Sequence, residues 1–354
     1  MNLPRITLPD PAAADEARAR VDQLTKPLGS LGRMEDLAVR LCAMSGGVPK
    51  HAFERRAILI GAADHGVARD GVSAYPPEVT AQMVGGFCAG FAAISAFARA
   101  AGAHVFVADF GVDAEIAPHT QLFGLKVARG TESLARGPAM SRENAERALL
   151  AGVEAFGLVR ERVGTLDILA LGDMGIGNTT SAAALIAILT TTPVGLVVGR
   201  GTGINDEGLS RKIAIVEAAI ARVKEGDPIE IAREVGGYEI VGLAGAMLAA
   251  AAARTPVVID GFIVTAAALL ARALDPNVSA YLIASHRSRE AGHTIALRAL
   301  GLEPLLDLDM RLGEATGAAL ALPLVSAAAR MISEMKTFAE AGVSTAADSP
   351  ANVP

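Results

Sequence analysis

Two short runs in this chain carry residue types that could do chemistry. The first is Gly172-Asp173-Met174-Gly175-Ile176-Gly177-Asn178-Thr179-Thr180, where glycines lead into two hydroxyls. It resembles a phosphate loop, yet no Gly-Lys-Ser/Thr follows. Amides at Gly175 and Gly177, then a helix start at Thr179-Thr180, supply donors and the positive end of a helix dipole. A phosphate that stays unreacted needs that orientation and no lysine at a γ-position. Taken alone, the run also fits a glycine-rich turn with a threonine cap. A second loop, "GRGTGINDEGLSRK" (Gly199 to Lys212), is again glycine-rich and enters a helix carrying Lys212. Two such loops can grip one phosphomonoester.

The other run is "MRLGEATGAALALP" (Met310 to Pro323), in which Glu314 stands between Gly313 and Gly317 with apolar residues beyond. Exposed, Glu314 is a helix first-turn carboxylate satisfied by the dipole. Desolvated, its pKa rises and it becomes a usable general base.

These residues need a scaffold. Five apolar runs, beginning at Ala57, His104, Leu166, Pro256 and Ala280, read as strands buried on both faces. Helical patterns separate them at Pro77–Ala101, Ser141–Val163, Asp206–Glu225, Gly237–Ala253, Phe262–Ala273 and Arg287–Leu300. The alternation predicts an α/β fold with a doubly wound, mostly parallel sheet flanked by helices. Polar residues and glycines end each strand: Asp64-His65-Gly66, Asp109-Phe110-Gly111, Gly172 to Gly175, Asp260-Gly261 and Ser285-His286. In open α/β sheets ligands bind beyond the carboxyl ends of strands, so these tips are expected to converge on one site. Each tip alone is an ordinary turn. Residues 1–54 and 315–354 lack strand runs. They are expected to form a small helical domain, leaving 55–314 as the large α/β domain. The end of the chain, "STAADSPANVP", reads as frayed.

Composition narrows the function. The chain has 354 residues, 51% of them hydrophobic, with no Trp, three Tyr and a net charge of −6. That argues against stacking platforms and polyanion surfaces, so no nucleic-acid partner is expected. The mean hydropathy of +0.39 raises the membrane question. The longest uncharged stretches, Val79–Ala98 and Met174–Gly199, are interrupted by glycine, proline and hydroxyl residues. They read as buried segments rather than membrane spans. Cys42 and Cys88 read as buried thiols in a reducing compartment. The first twenty residues hold no apolar signal-peptide core. A cytoplasmic protein is expected, with no zinc spacing and no metal site.

Eight segments together carry a resemblance. They are "LTKPLGSLGRMEDLA" (Leu24–Ala38), "ADHGVARDGVSAYPPEVTAQMV" (Ala63–Val84), "VARGTESLARGPAM" (Val127–Met140), "GDMGIGNTTSAAA", "VGGYEIVGLAGAML" (Val235–Leu248), "VVIDGF", "YLIASHRSREAG" and "DMRLGEATGAALALP". In collinear order, from about residue 20 to residue 340, the chain resembles the nicotinate-nucleotide:dimethylbenzimidazole phosphoribosyltransferase family. The resemblance implies a homodimer with an α/β large domain and a small helical domain built from both chain ends. It implies transfer of phosphoribose from nicotinate mononucleotide to 5,6-dimethylbenzimidazole, giving α-ribazole 5′-phosphate, the lower-ligand nucleotide of cobalamin, and nicotinate. It places the catalytic base on Glu314. The phosphate contacts fall on Gly177, Asn178, Thr179, Thr180, Gly201 and Thr202, with Lys212 beside them. Asp260 and Ser285 are expected to hold ribose hydroxyls or neighbouring loops. His65 and His286 read as structural partners before substrate contacts. By the same resemblance Ser73–Met83 lines the slot for the aromatic base, with Tyr75, Met83 and Met174 as its walls; ordinary core packing also accounts for Met83.

The chemistry fits these residue types without a cofactor. A benzimidazole nitrogen attacks C1′ opposite the nicotinate, and a base removes the proton from its other nitrogen. Nicotinate leaves from a pyridinium and needs no acid. The phosphate is a handle whose binding energy serves positioning. Two departures bear on base selectivity. Asp173 stands where the family usually has Glu, and its carboxyl competes with Glu314 for the base role. Ala315 replaces the commoner Gly after the catalytic Glu. The same reaction on another benzimidazole, a purine or a phenol is an alternative. So is a non-catalytic nucleotide-binding protein, although such a protein has no use for Glu314 in its glycine frame. A dinucleotide dehydrogenase fits least, because the glycines around 172–177 do not give G-x-G-x-x-G.

Overall fold

Strands β1 (Arg56–Ala63), β2 (Ala103–Gly111) and β4 (Ile168–Met174) are almost wholly buried along their length. Apolar runs without alternation suit a sheet covered on both faces, and these strands pair in parallel. The structure, a computed structural model, describes residues 3–201, 203–224 and 226–344. Thr202 and the C-terminal run from Thr345 therefore lie outside the described residues.

Shorter strands complete the sheet: β3 (Leu122–Gly124), β5 (Val257–Ile259) and β6 (Leu282–Ala284). All pairs are parallel, in the order β3-β2-β1-β4-β5-β6. Strand β3 is an addition to the five runs expected from sequence. It has three residues and lies at the sheet edge, too short to show a pattern. Strand order reverses between β1 and β4, the switch point where α/β sheets open a crevice. Ala62 pairs with Met174 there, so the Asp64-His65 and Asp173–Gly175 tips emerge side by side.

The helix Tyr238–Ala252 is buried on every side and lies against β1, β2 and β4 and against the helix Arg142–Val163. A helix apolar all round belongs in a core. Each of its fully buried Leu, Ile or Val side chains contributes about 1.5–3 kcal/mol. Such helices account for the high mean hydropathy. Among the described residues two stretches are long and apolar enough to cross a bilayer, Val79–Ala101 and Thr316–Glu334. The first is not one helix, as its pattern suggested. Gly90, at φ 79°, ends Val79–Ala89 before Ala93–Ala101 begins. The second is 67% buried.

The helix expected over Arg287–Leu300 is confined to His293–Leu300. Upstream, the Arg287 and Arg289 amides donate sideways to the carbonyls of Leu306 and Met310. That pairing competes with helical bonds and lays the 306–310 segment along the strand tips, which delivers Arg311–Glu314 to the same end of the sheet.

The chain divides into two compact units. One comprises residues 3–7 and Arg55–Ala321 and contains the sheet. Its N-terminal stretch is tied in by Tyr281, whose hydroxyl donates to the Thr7 carbonyl at 2.8 Å. The other comprises Leu8–Glu54 and Leu322 onward. Its helices Pro11–Gln23 and Arg33–Ser45 pack together, the first capped by Asp10. Arg20 donates to the carbonyls of Ile332 and Met335, and a buried Lys26–Glu35 pair closes at 2.8 Å. Both cysteines are free; Cys42 is buried and Cys88 half-buried.

Candidate active site

Strand β4 ends in Asp173-Met174, and the chain then turns through Gly175-Ile176-Gly177 into the helix Asn178–Thr190. Gly177 makes this turn at φ 93°. The turn is held from outside: the Ile176 amide donates to Thr80 Oγ1 at 3.1 Å. It is also held from within, since the amides of Asn178 and Thr180 donate to the carbonyls of Gly175 and Gly177. The Asn178 side chain donates Nδ2 to Asp173 Oδ2 at 3.0 Å. Asp173 is 7% exposed, and its Oδ1 has no hydrogen-bond partner. Burial pushes the Asp173 carboxyl well above the usual range, and the nearby carboxyls of Asp260, Glu239 and Glu314 push it further.

Glu314 arrives on an unusual turn. Gly313, Glu314 and Ala315 all take positive φ, at 87°, 60° and 64°. Gly172 of β4 makes room for them, because a Cβ there would fall 2.2 Å from the Ala315 nitrogen. Thr316 closes the turn by donating Oγ1 to the Gly313 carbonyl at 2.7 Å. Glu314 is 7% exposed and its Oε2 lacks a partner. Burial raises its pKa to about 7.

The second glycine loop meets the first through Lys212. The Lys212 ammonium, 0% exposed, donates to Thr179 Oγ1 at 2.7 Å and to the Gly199 carbonyl at 3.2 Å. Burial lowers its pKa to about 8. Its helix, Asp206–Ile220, begins at Asn205, whose Oδ1 accepts the Gly208 amide at 2.9 Å. The lysine thus stands directly behind a threonine hydroxyl of the first loop.

A cavity of about 300 Å³ opens where these parts meet. That volume is at the lower end for sites that enclose small molecules. Asp173, Gly175, Asn178, Thr179, Gly201 and Glu314 border it, as do Tyr75 and Met174. Gly177, Thr180, Lys212, Asp260 and Ser285 do not border it. Thr180 is fully buried, Lys212 acts through Thr179, and Asp260 and Ser285 lie behind the surface. Met83 is half-buried and off the wall; its helix reaches the loop through Thr80 instead. Ser73 lies beside a different hollow with Gly71 and Arg211. Its hydroxyl accepts the Tyr75 amide at 3.2 Å.

Several wall residues were not singled out from sequence: Ile176, Phe262, Ile263, Ser288, Glu290, Arg311 and Leu312. Arg311 and Leu312 precede Glu314 directly, so adjacency to that run was the available signal. His286 also borders the cavity, with Nδ1 3.0 Å from Ser285 Oγ. Burial lowers its pKa. His65, by contrast, is locked in the core between Glu239 at 2.7 Å and Ser181 at 3.1 Å. Among the described residues no group of three or more His, Cys, Asp or Glu is placed to hold a metal ion.

One cavity therefore combines a lysine-backed hydroxyl in a glycine frame with a carboxyl that titrates near neutrality. The first suits a phosphate ester. The second can accept a proton from a bound ring.

Comparison with known proteins agrees in kind. A family model described as phosphoribosyltransferase matches residues 6–343. A Thermus thermophilus protein named nicotinate-nucleotide–dimethylbenzimidazole phosphoribosyltransferase is 54% identical over 336 residues, covering 95% of this chain and 99% of its own. A protein of the same name from Chloroflexus aurantiacus is 50% identical over 337 residues, 95% of each chain. The solved structure of a Thermus thermophilus enzyme of this name superposes with a TM-score of 0.91 at 52% identity, covering 95% of this chain and 99% of its own.

Proposed function

The chain belongs to the phosphoribosyltransferase family, and from that premise we propose that it transfers 5-phosphoribose from nicotinate mononucleotide to 5,6-dimethylbenzimidazole, in assembly of the cobalamin nucleotide loop. The products are α-ribazole 5′-phosphate and nicotinate. One observation carries the reading: Glu314 and the Lys212-backed Thr179 border the same cavity.

In this reading the phosphate sits against Thr179, Gly175 and Gly201, with the Lys212 charge behind them. Gly177, Asn178 and Thr180 shape the first of these loops. The phosphate keeps its charge throughout, so its role is to fix C1′ in place. The benzimidazole lies against Tyr75 and Met174. Its unprotonated nitrogen donates a lone pair to form the new C1′–N bond as the C1′–pyridinium bond breaks, and the pair of the broken bond stays on the nicotinate nitrogen, neutralising the pyridinium. Inversion converts the β-linkage to α. The proton on the other benzimidazole nitrogen passes to the Glu314 carboxylate. A carboxyl whose pKa lies near 7 is well matched to that transfer. Asp173 borders the same cavity with an unpartnered Oδ1, and its carboxyl, one methylene shorter than the family's usual Glu, bears on which base is accepted.

The reading includes a cytoplasmic homodimer. The dimer rests on the family resemblance set out above. Light scattering of the purified protein tests it, and a monomer at all concentrations contradicts it.

The decisive assay mixes pure protein, nicotinate mononucleotide and a panel of benzimidazoles, purines and phenols, and follows nicotinate by chromatography. Release with dimethylbenzimidazole is expected. No release with any base removes the reading.

A further inference from the structure

Asp260 follows β5 directly and is 1% exposed, so it lies behind the cavity wall rather than in it. Its partners are the amides that follow Glu314. Oδ1 accepts the Ala318 amide at 2.9 Å, and the Gly317 and Ala315 amides turn to the same carboxyl. Its carbonyl is held by Ser285, whose Oγ donates to it at 3.3 Å. The Nδ1 of His286 lies 3.7 Å from Oδ1. The other carboxyl oxygen has no hydrogen-bond partner.

What this carboxyl holds is costly to hold. Glu314 and Ala315 are consecutive non-glycine residues in the left-handed region, at φ 60° and 64°. Side chains are disfavoured there, and the conformation persists only where the surroundings over-determine it. Gly172 supplies the space, but space alone does not select the conformation. The amides that follow it favour it: Ala318 bonds Oδ1, and Gly317 and Ala315 turn to the same carboxyl, which ties the residue after Glu314 to Asp260.

We propose that Asp260 is a positioning residue for the transfer reaction: by gathering the amides of Ala315, Gly317 and Ala318 it holds the strained Glu314–Ala315 turn that presents the Glu314 carboxyl to the cavity. The inference rests on the transferase reading above. It differs from a ribose-binding role, which requires contact with the nucleotide, and from simple helix capping, which requires no coupling to the residue after Glu314.

The test measures nicotinate release by the full-length protein and by Asp260→Ala, Asp260→Asn, Ala315→Gly and the double variant Asp260→Ala/Ala315→Gly. Removing the acceptor lowers kcat roughly ten- to hundredfold, with the KM for nicotinate mononucleotide within about twofold of wild type. Asp260→Asn keeps an acceptor oxygen at the Oδ1 position and restores most of that loss. In the Ala315→Gly background the turn is less strained, so the Asp260→Ala loss shrinks by about threefold or more. A loss of the same size in both backgrounds, an unaffected kcat in Asp260→Ala, or a mononucleotide KM raised in step with the fall in kcat each overturns the proposal. Should Asp260→Ala fail to fold, Asp260→Asn decides alone: kcat no more than about threefold below wild type is required, and a greater loss overturns it. A wild-type protein that releases no nicotinate defeats the transferase reading itself, whereas an active wild type with an indifferent Asp260→Ala defeats this inference only.

Discussion

Asn178 Nδ2 donates to Asp173 Oδ2 across 3.0 Å, so the first side chain of the helix after β4 steadies a carboxyl at the strand's own tip. The remaining oxygen, Oδ1, is buried without a hydrogen-bond partner. The folded protein therefore favours the protonated form of Asp173. Burial raises its pKa well above 3.8, and its acidic neighbours add to the shift. For a carboxyl raised in the folded state, stability is fully present below the unfolded pKa and is lost as pH rises towards the folded value. Asp173→Asn mimics the protonated form and still accepts from Asn178. It should raise the melting temperature at about pH 8, with the gain fading as pH falls to about 4. Thermal melts across that range check this, and a gain independent of pH contradicts it.

Glu314 sets the pH dependence of turnover. Its raised pKa of about 7 follows from burial, and the base must be ionised to accept a proton. The kcat should rise with pH through a midpoint near 7 and level off above it. A profile that stays flat from about pH 5.5 to about 8.5 removes Glu314 from the proton transfer.

Lys212 acts on binding more than on chemistry. Its ammonium supports Thr179 rather than the reacting carbon, and losing one charge-assisted contact costs about 1.5–3 kcal/mol. Lys212→Met should raise the KM for nicotinate mononucleotide by roughly ten- to hundredfold, with a smaller change in kcat. The KM for dimethylbenzimidazole, measured at saturating nucleotide, should hardly move.

Tyr75 gives the opposite pattern. It borders the cavity from a half-exposed position, on a stretch steadied by Ser73. Tyr75→Ala removes an aromatic wall, and such contacts are worth about 0.5–1.5 kcal/mol beyond burial. The KM for the aromatic base should rise by about threefold or more while the nucleotide KM holds. Steady-state kinetics with each substrate varied in turn separate the two.

Much of the scaffold was legible because buried parallel strands leave an unmistakable trace. The runs from Ala57, His104, Leu166, Pro256 and Ala280 all contain observed strands, but of the five polar tips only those of β4, β5 and β6 border the cavity; Asp64-His65 and Asp109 do not. β3 left no trace because three edge residues cannot form a pattern. The helical pattern over Pro77–Ala101 reads as one helix because its break depends on the backbone angle at Gly90, which the pattern does not record. In the site, Glu314, Asp173, Gly175 and Thr179 were visible as residue types in a glycine frame. The positions of Asp260 and Thr180 behind the wall, and of Ser73 beside another hollow, were not visible. Chain position brings a residue to a strand tip, but which way it faces depends on the turn that follows.

The most direct test of the account is Glu314→Gln assayed for both binding and turnover. The amide keeps the shape of the side chain but cannot take the proton from the incoming ring. Calorimetry should show nicotinate mononucleotide binding within about threefold of wild type, and nicotinate release with dimethylbenzimidazole should fall by roughly a hundredfold or more. Near-normal turnover by this variant would contradict the claim that an unreacting phosphate anchors the sugar while Glu314 deprotonates the base.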